Sequence, residues 1–208
     1  MILIGQYDSP FVRRVGIALR LYDMPFEHQP WSAFGDKEKL QFHNPLSRVP
    51  TLLLDNGEAL IDSHAILDYL DALVEPTNRL FPVHEPQRHQ ALHIAALATG
   101  FADKAVSLFY EKVLHTHVSE TWVQRCTGQI IATIDVLEAR CAVLQTPYWF
   151  GERPGHADIA VTCCLRFLND AHPGLIDMGQ RPTLQAFAAT LEATPVFKEI
   201  SQAFVPPA

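Results

Sequence analysis

The fold is indicated most clearly by residues 1–22, MILIGQYDSPFVRRVGIALRLY, where the spacing of apolar side chains changes part-way along the segment. Ile2-Leu3-Ile4 is a short continuous apolar run, which is typical of a strand covered on both faces. From Pro10 onward the spacing becomes helical, with apolar side chains at Phe11, Val15, Ala18, Leu19 and Tyr22. The segment therefore predicts a strand, a loop and a helix.

The rest of the first third continues this alternation. Residues 26–30 can form a second strand and residues 34–42 a short helix. Two apolar runs, Thr51 to Asp55 and Glu58 to Ile61, flank Asn56-Gly57, the dipeptide that best accepts the two positive φ angles of a type I′ hairpin. Residues 63–74 then have one apolar face at helical spacing. The predicted order is βαβ followed by ββα.

Only helical periodicity follows residue 86, so a second core is expected there. Residues 76–86 carry three prolines, each of which restricts its own φ and biases the preceding residue away from helix. This segment predicts a linker between domains at residues 1–75 and 87–208. The helical spacing predicts two long helices, through residues 94–108 and 130–141, and a central helix through residues 157–168 that is apolar around nearly its whole circumference. Two short helices are predicted through residues 183–192 and 195–203.

Composition excludes several classes of protein. The 208 residues contain 16 Lys and Arg against 23 Asp and Glu, a net charge of −7, and 48% are hydrophobic. Without a clustered basic run, nucleic acid is a poor candidate partner. No stretch of about 18 uncharged apolar residues predicts a membrane span, and the first residues do not resemble a secretion signal. The four cysteines have no C-x-x-C spacing and are typical of reduced thiols in a protein core, so we expect a cytoplasmic protein.

Three short motifs each have both a functional and an ordinary structural interpretation. Ser9-Pro10 is a normal helix start, but a hydroxyl and free N–H groups at a helix N-terminus can also stabilise an anion such as a thiolate. Asp62-Ser63 has the same two interpretations. Pro50, after Arg48 and Val49, is either an ordinary strand entrance or a cis-proline.

Taken in order, these motifs resemble the glutathione transferase superfamily, and within it the bacterial YibF-like branch, which shares the S-P-F-V-R opening. The resemblance covers the whole chain through four segments: residues 9–15 (SPFVRRV), 44–50 (NPLSRVP), 62–66 (DSHAI) and 78–82 (NRLFP). It implies a thioredoxin-like domain with a mixed four-stranded sheet, followed by an all-helical domain. It also implies glutathione as co-substrate, no metal, a small hydrophobic electrophile as second substrate, and a homodimer.

The resemblance also implies roles for single residues. Ser9 matches the residue whose hydroxyl faces the glutathione sulfur, and Val49, before the family's cis-proline at Pro50, matches the residue whose backbone pairs with the cysteinyl portion. Asp62 and Ser63 match the pair that binds the γ-glutamyl end. Arg48 stands where the family often has Lys, within reach of the glycyl carboxylate. Asp103 matches a position that in some relatives crosses a dimer interface to the glutathione amine.

Two positions depart from the family pattern. Gly155 stands where many relatives have Ser or Thr three residues before the Asp that corresponds to Asp158, so half of a capping box is absent. Ser47 stands where Gly is frequent, which affects the loop before Val49.

Tyr7 is an alternative donor to the sulfur, but its position before the turn favours Ser9.

The second substrate is less well defined by the sequence. Phe101, Tyr110, Trp122 and Phe204 can line an apolar pocket, although aromatic residues at helical spacing more often belong to a core. A pair of histidines four residues apart, His89 and His93, lacks the further ligands of a metal site.

The absence of a cysteine before Cys126 excludes thiol-disulfide exchange through a protein thiol of the first domain. We therefore expect conjugation of glutathione. The alternatives are a glutathione-dependent peroxidase or lyase, and a non-catalytic binding protein of the same fold.

Overall fold

A computed structural model describes residues 1–206. The N-terminal domain contains a four-stranded sheet and three helices in the predicted order. Its elements are β1 (Ile2–Ile4), α1 (Pro10–Leu21), β2 (Glu27–Gln29), α2 (Lys37–His43), β3 (Thr51–Leu53), β4 (Ala59–Leu60) and α3 (Ser63–Ala72). The strands lie in the order β2-β1-β3-β4, with β2 parallel to β1 and both other pairings antiparallel. The predicted mixed sheet of a thioredoxin-like domain is therefore confirmed.

The hairpin between β3 and β4 is present, but the prediction of a type I′ turn is wrong. Of the two residues expected to have positive φ, only Gly57 does, at +87°. The Gly57 N–H donates to the Leu54 carbonyl, and the Leu54 N–H donates to the Glu58 carbonyl. A longer loop with glycine alone in the left-handed region closes the hairpin, an arrangement that suits Asn-Gly equally well.

The C-terminal domain is entirely helical. Its helices are α4 (Gln87–Leu114), α5 (Glu120–Cys141), α6 (His156–Ala171), α7 (Pro182–Glu192) and α8 (Pro195–Glu199), with 3₁₀ turns at Pro76–Asn78 and Met178–Gln180. Helix α4 is long and apolar enough to cross a membrane, since an 18-residue window of it has a mean hydropathy of 1.2. However, its buried side chains belong to the core that it forms with α5 and α6. Packing therefore accounts for its apolar composition.

The central helix α6 begins at a position that requires glycine. A Cβ atom on Gly155 would come within 2.5 Å of the Leu80 carbonyl oxygen, which accepts the His156 N–H. Asp158 still caps the helix, because its carboxylate accepts the N–H groups of Gly155 at 2.8 Å and Trp149 at 2.9 Å. The missing Ser or Thr is thus explained by the close approach of the segment that joins the domains.

Helix α1 packs against α6 and connects the two domains through Arg13, which is only 3% exposed. Its guanidinium donates to both carboxylate oxygens of Glu192 and to the carbonyls of Phe197 and Ile200. Burial alone would lower the pKa of Arg13, but its hydrogen bonds and ion pair with Glu192 raise it. The C-terminal helices are therefore held against α1 by a buried ion pair.

The cysteines are buried and unpaired, as expected of core thiols. Burial raises the pKa of Cys163 to about 12, so this thiol is unreactive near neutral pH.

Candidate functional site

A cavity of about 1060 Å³ lies between the two domains. One wall comes from the N-terminal domain, including the start of α1, the segment from Trp31 to Lys37, and the loop before β3. The other wall comes from α4, together with Trp122, Phe167 and the C-terminal segment that contains Phe204. Helices and loops of both domains are therefore needed to form one site.

Ser9 lines this cavity as the N-cap of α1. Its φ and ψ are −69° and 123°, and its Oγ accepts the Val12 N–H at 3.4 Å. The N–H of Phe11, also in the lining, has no hydrogen-bond partner within residues 1–206. A free hydroxyl proton and a free backbone donor at a helix N-terminus favour negative charge at this point.

The loop before β3 contributes its backbone to the same cavity. The Val49–Pro50 peptide bond is cis, which answers the question that the sequence left open. Val49 lines the cavity, and within the described chain neither its N–H nor its carbonyl has a hydrogen-bond partner. Ser47 has a φ of +50°, in the left-handed region that favours glycine, so this loop holds a serine in a conformation suited to glycine.

Gly5 allows these two segments to approach. Its φ is +128°, and a Cβ there would lie 2.5 Å from a Val12 methyl and 2.8 Å from the Val49 Cβ. Any larger residue would therefore separate the start of α1 from the loop before β3.

Charged side chains surround the cavity edge nearest α3. Arg48 and Asp103 both line it, with Nη2 and Oδ1 3.7 Å apart across the domain boundary. Burial raises the pKa of Asp103, while Arg48 opposes that effect and the Asp62 carboxylate adds to it. The predicted contact of Asp103 with the glutathione amine across a dimer interface stays a prediction; within its own chain Asp103 lies beside Arg48.

Other predicted site residues lie outside the cavity lining. Asp62 caps α3 by accepting the His64 N–H at 2.8 Å, and its carboxylate is close enough to influence Asp103. Ser63 and Pro50 are buried. The structure therefore brings Ser9, Arg48, Val49 and Asp103 to one cavity, with Asp62 beside them.

The aromatic wall contains Tyr110, Trp122 and Phe204, but the prediction for Phe101 is wrong. Tyr110 packs edge-to-face with Phe34, with 5.2 Å between ring centroids, and burial raises its pKa. Phe101 is 1% exposed in the helical core and is absent from the cavity lining. It lies about 200° around the helix from Asp103, since each residue turns an α-helix by about 100°.

Tyr7 does not line the cavity. Its ring stacks on His28 at a centroid distance of 3.8 Å, and burial raises its pKa to about 12.

Among residues 1–206, no group of three side chains is arranged to bind a metal ion. His89 instead pairs with Glu85, with Nδ1 and Oε2 2.7 Å apart.

Several cavity residues were not predicted from sequence. They include the loop from Trp31 to Lys37, which closes one side, and Glu111 and His115 at the far end of α4. One signal was available: positions 103, 106, 107, 110 and 111 follow the spacing of a single helix face. That face is separate from the Ile94 and Leu108 face that forms the core.

Comparison with known proteins gives the family of the chain. The profile described as "Glutathione S-transferase, N-terminal domain" matches residues 3–78, and that of the C-terminal domain matches residues 120–190. The chain belongs to the glutathione transferase family. Among its relatives, the uncharacterized GST-like protein YibF of Escherichia coli (strain K12) is 32% identical over 175 residues, which cover 81% of this chain and 82% of the relative.

Solved glutathione transferase structures share the whole fold. A glutathione S-transferase from Methylobacterium radiotolerans, in complex with glutathione sulfonate, has a TM-score of 0.89 and 26% identity, with 100% of this chain and 98% of that chain covered. A family member from Pseudomonas fluorescens Pf-5, with bound glutathione, has a TM-score of 0.82 and 31% identity, with coverage of 100% and 99%. The expected thioredoxin-like and helical domains are confirmed by these likenesses.

Proposed function

We propose that the protein is a glutathione transferase, which activates the thiol of glutathione for attack on a small hydrophobic electrophile. The observation that carries this proposal is the position of Ser9. Its hydroxyl and the free Phe11 N–H lie at the start of α1, in the wall of the cavity between the domains. In our proposal the Ser9 O–H donates to the sulfur anion while Oγ continues to accept the Val12 N–H.

The energy required of this site is small. A free thiol has a pKa of about 8.5, so only a few per cent is thiolate at neutral pH. Lowering that pKa by one unit requires about 1.4 kcal/mol of preferential stabilisation of the anion. A charge-assisted hydrogen bond contributes about 1.5 to 3 kcal/mol, and a helix N-terminus adds about 0.3 to 1 kcal/mol. Ser9 and the start of α1 are therefore sufficient to make glutathione largely thiolate near neutrality.

The rest of the tripeptide would occupy the polar edge of the cavity. The free backbone groups of Val49 can pair with the cysteinyl portion, and Arg48 can bind the glycyl carboxylate. We assign the γ-glutamyl end to Asp62 and Ser63 at the start of α3, where a carboxylate and helix N–H groups can bind an amine and a carboxylate respectively. Bound glutathione would then have its sulfur directed towards the aromatic wall.

The experiment measures binding and turnover of the purified protein. Calorimetry with glutathione tests the site, while a chlorodinitrobenzene and cumene hydroperoxide distinguish conjugation from peroxidase chemistry. In conjugation the thiolate forms a C–S bond and chloride leaves; in the peroxidase reaction two glutathione molecules become the disulfide. We expect conjugation to predominate. Binding without turnover of either compound would favour a non-catalytic role, and absence of binding would refute the proposal.

We further propose that the active form is a homodimer, as the family resemblance implies. Exposed apolar side chains support this proposal, since Phe42 is 86% exposed and Leu46 63% exposed on neighbouring parts of α2 and its following loop. A second copy would remove them from water. Sedimentation equilibrium should give twice the chain mass; a monomer at all concentrations tested would contradict the proposal.

A further inference from the structure

One end of the cavity carries a polar pair that the proposed thiol activation does not use. Glu111 lies in the last turn of α4 and His115 is the extended residue that follows the helix, beyond Tyr110 and away from Arg48 and Asp103. With a rise of about 1.5 Å per residue, Glu111 is about 12 Å along the helix from Asp103. The pair is therefore placed to contact the second substrate and not the glutathione carboxylates.

Glu111 is 8% exposed and is held by two donors. Its Oε1 accepts the Ser119 N–H at 2.7 Å, and its Oε2 lies 2.9 Å from the Nδ1 of His115. An ionised carboxylate can only accept, so the Nδ1 of the imidazole must carry the proton. In neutral His115 the other nitrogen, Nε2, is therefore an acceptor.

This acceptor has no partner in the described chain. Within residues 1–206 the only hydrogen bond of the ring is that to Glu111, and the His115 side chain is 59% exposed in the cavity lining. The neighbouring indole is already satisfied, since the Trp122 Nε1–H donates to the Ser107 Oγ at 3.2 Å. His115 thus offers a free acceptor beside an aromatic wall.

The charge of the pair favours a neutral ligand. Glu111 is negative and buried directly behind the imidazole, so it disfavours an anion at Nε2 unless the ring is protonated. The other charged groups in the lining are Asp8, Lys37 and Arg48 of the N-terminal domain and Asp103, which lies about two turns before Glu111 on α4. A hydroxyl is neutral and donates a hydrogen bond, which is what this site lacks.

We propose that the second substrate is an aromatic electrophile with a hydroxyl group on the end opposite its reacting carbon, and that this hydroxyl donates to Nε2 of His115. Glu111 acts as a positioning residue that fixes the tautomer of the imidazole. The contact is one of binding: the hydroxyl keeps its proton and no bond is broken. This inference rests on the proposed function, because it requires glutathione to place its sulfur near Ser9.

The test uses stable conjugates, so that binding is measured without turnover. Calorimetry compares S-benzylglutathione with its para-hydroxy, para-methoxy and para-carboxy derivatives. We expect the para-hydroxy compound to bind about tenfold more tightly than the para-methoxy compound, which is the effect of one hydrogen bond. Tightest binding of the para-carboxy compound, with affinity falling as pH rises, would instead show an anion site and overturn the proposal.

Three variants separate this contact from a structural role. His115→Leu should remove the preference for the hydroxyl, while His117→Leu, which changes an exposed histidine outside the cavity lining, should retain it. In Glu111→Gln the amide carbonyl can still accept the Ser119 N–H, but its NH₂ donates to Nδ1 and moves the imidazole proton to Nε2. That variant should bind S-benzylglutathione normally and lose the preference for the hydroxyl.

The outcomes distinguish the two proposals. If no S-benzylglutathione derivative binds, the proposed function fails and this inference fails with it. If all derivatives bind equally, or if His115→Leu retains the preference for the hydroxyl, only the inference is refuted.

Discussion

Removal of the Glu192 carboxylate should destabilise the protein far more than removal of a similar carboxylate seven residues later. Glu192→Ala leaves the guanidinium of Arg13, which is 3% exposed, without its carboxylate partner, while the carbonyls of Phe197 and Ile200 remain its acceptors. Breaking a buried pair in this way costs about 3 to 5 kcal/mol. For a chain of this size about 2 to 4 °C is lost per kcal/mol, so we expect Tm to fall by about 6 to 20 °C.

The matched control is Glu199→Ala. Glu199, at the end of α8, pairs with Arg20 of α1 at 2.8 Å, but these side chains are 55% and 44% exposed. An exposed pair contributes at most about 1 kcal/mol, so Tm should change by less than about 4 °C. Thermal unfolding of both variants, followed by circular dichroism, compares the two effects. Equal shifts would refute the reasoning that burial determines how much the Arg13–Glu192 ion pair contributes to stability.

Three further predictions concern the site and the stability of the fold. Ser9→Ala should lower kcat/KM for conjugation about tenfold to a hundredfold, because one charge-assisted hydrogen bond to the thiolate is lost. Tyr7→Phe should leave kcat/KM unchanged, and steady-state kinetics in which both variants behave alike would contradict this prediction. Asp158→Asn should lower the free energy of unfolding, measured by urea titration, by about 1.5 to 3 kcal/mol, because an amide can accept only one of the two backbone N–H groups that the carboxylate accepts. An unchanged midpoint would exclude this capping role. Burial lowers the pKa of His156 although the Asp71 carboxylate lies 3.6 Å from its Nε2, so the unfolded chain binds a proton that the folded chain does not. Stability should therefore fall as the pH drops below about 6.5, and less steeply in His156→Gln; equal slopes would exclude His156 as the cause.

Much of the N-terminal domain could be predicted because its signals are local. The change of period at Pro10 places the strand and the helix, and Ser9 with Pro10 specifies where that helix begins. The same locality explains the error at Asn56-Gly57. The dipeptide indicates that a turn occurs, but the turn type depends on the register of β3 against β4, which the dipeptide does not set.

The cavity was less predictable because it is formed by contacts between distant segments. Helical spacing places Phe101 on an apolar face of α4, but it could not show whether that face meets the core or the cavity, so Phe101 was predicted for the cavity and lies in the core. Polar side chains near the end of a helix are ordinarily exposed, so nothing in the polarity of Glu111 or His115 marked them as part of a site. Only the approach of the N-terminal domain and of Phe204 makes that end of α4 part of a site.

The central claim is that Ser9 and the start of α1 stabilise the sulfur of glutathione as an anion. It is tested most directly by titrating the ultraviolet absorbance of the bound thiolate against pH in the wild-type protein and in Ser9→Ala. We predict that the bound thiol of the wild type has a pKa at least about one unit below that of free glutathione, and that the substitution restores most of the difference. The same pKa in both proteins, or a wild-type pKa equal to that of the free thiol, would contradict the claim.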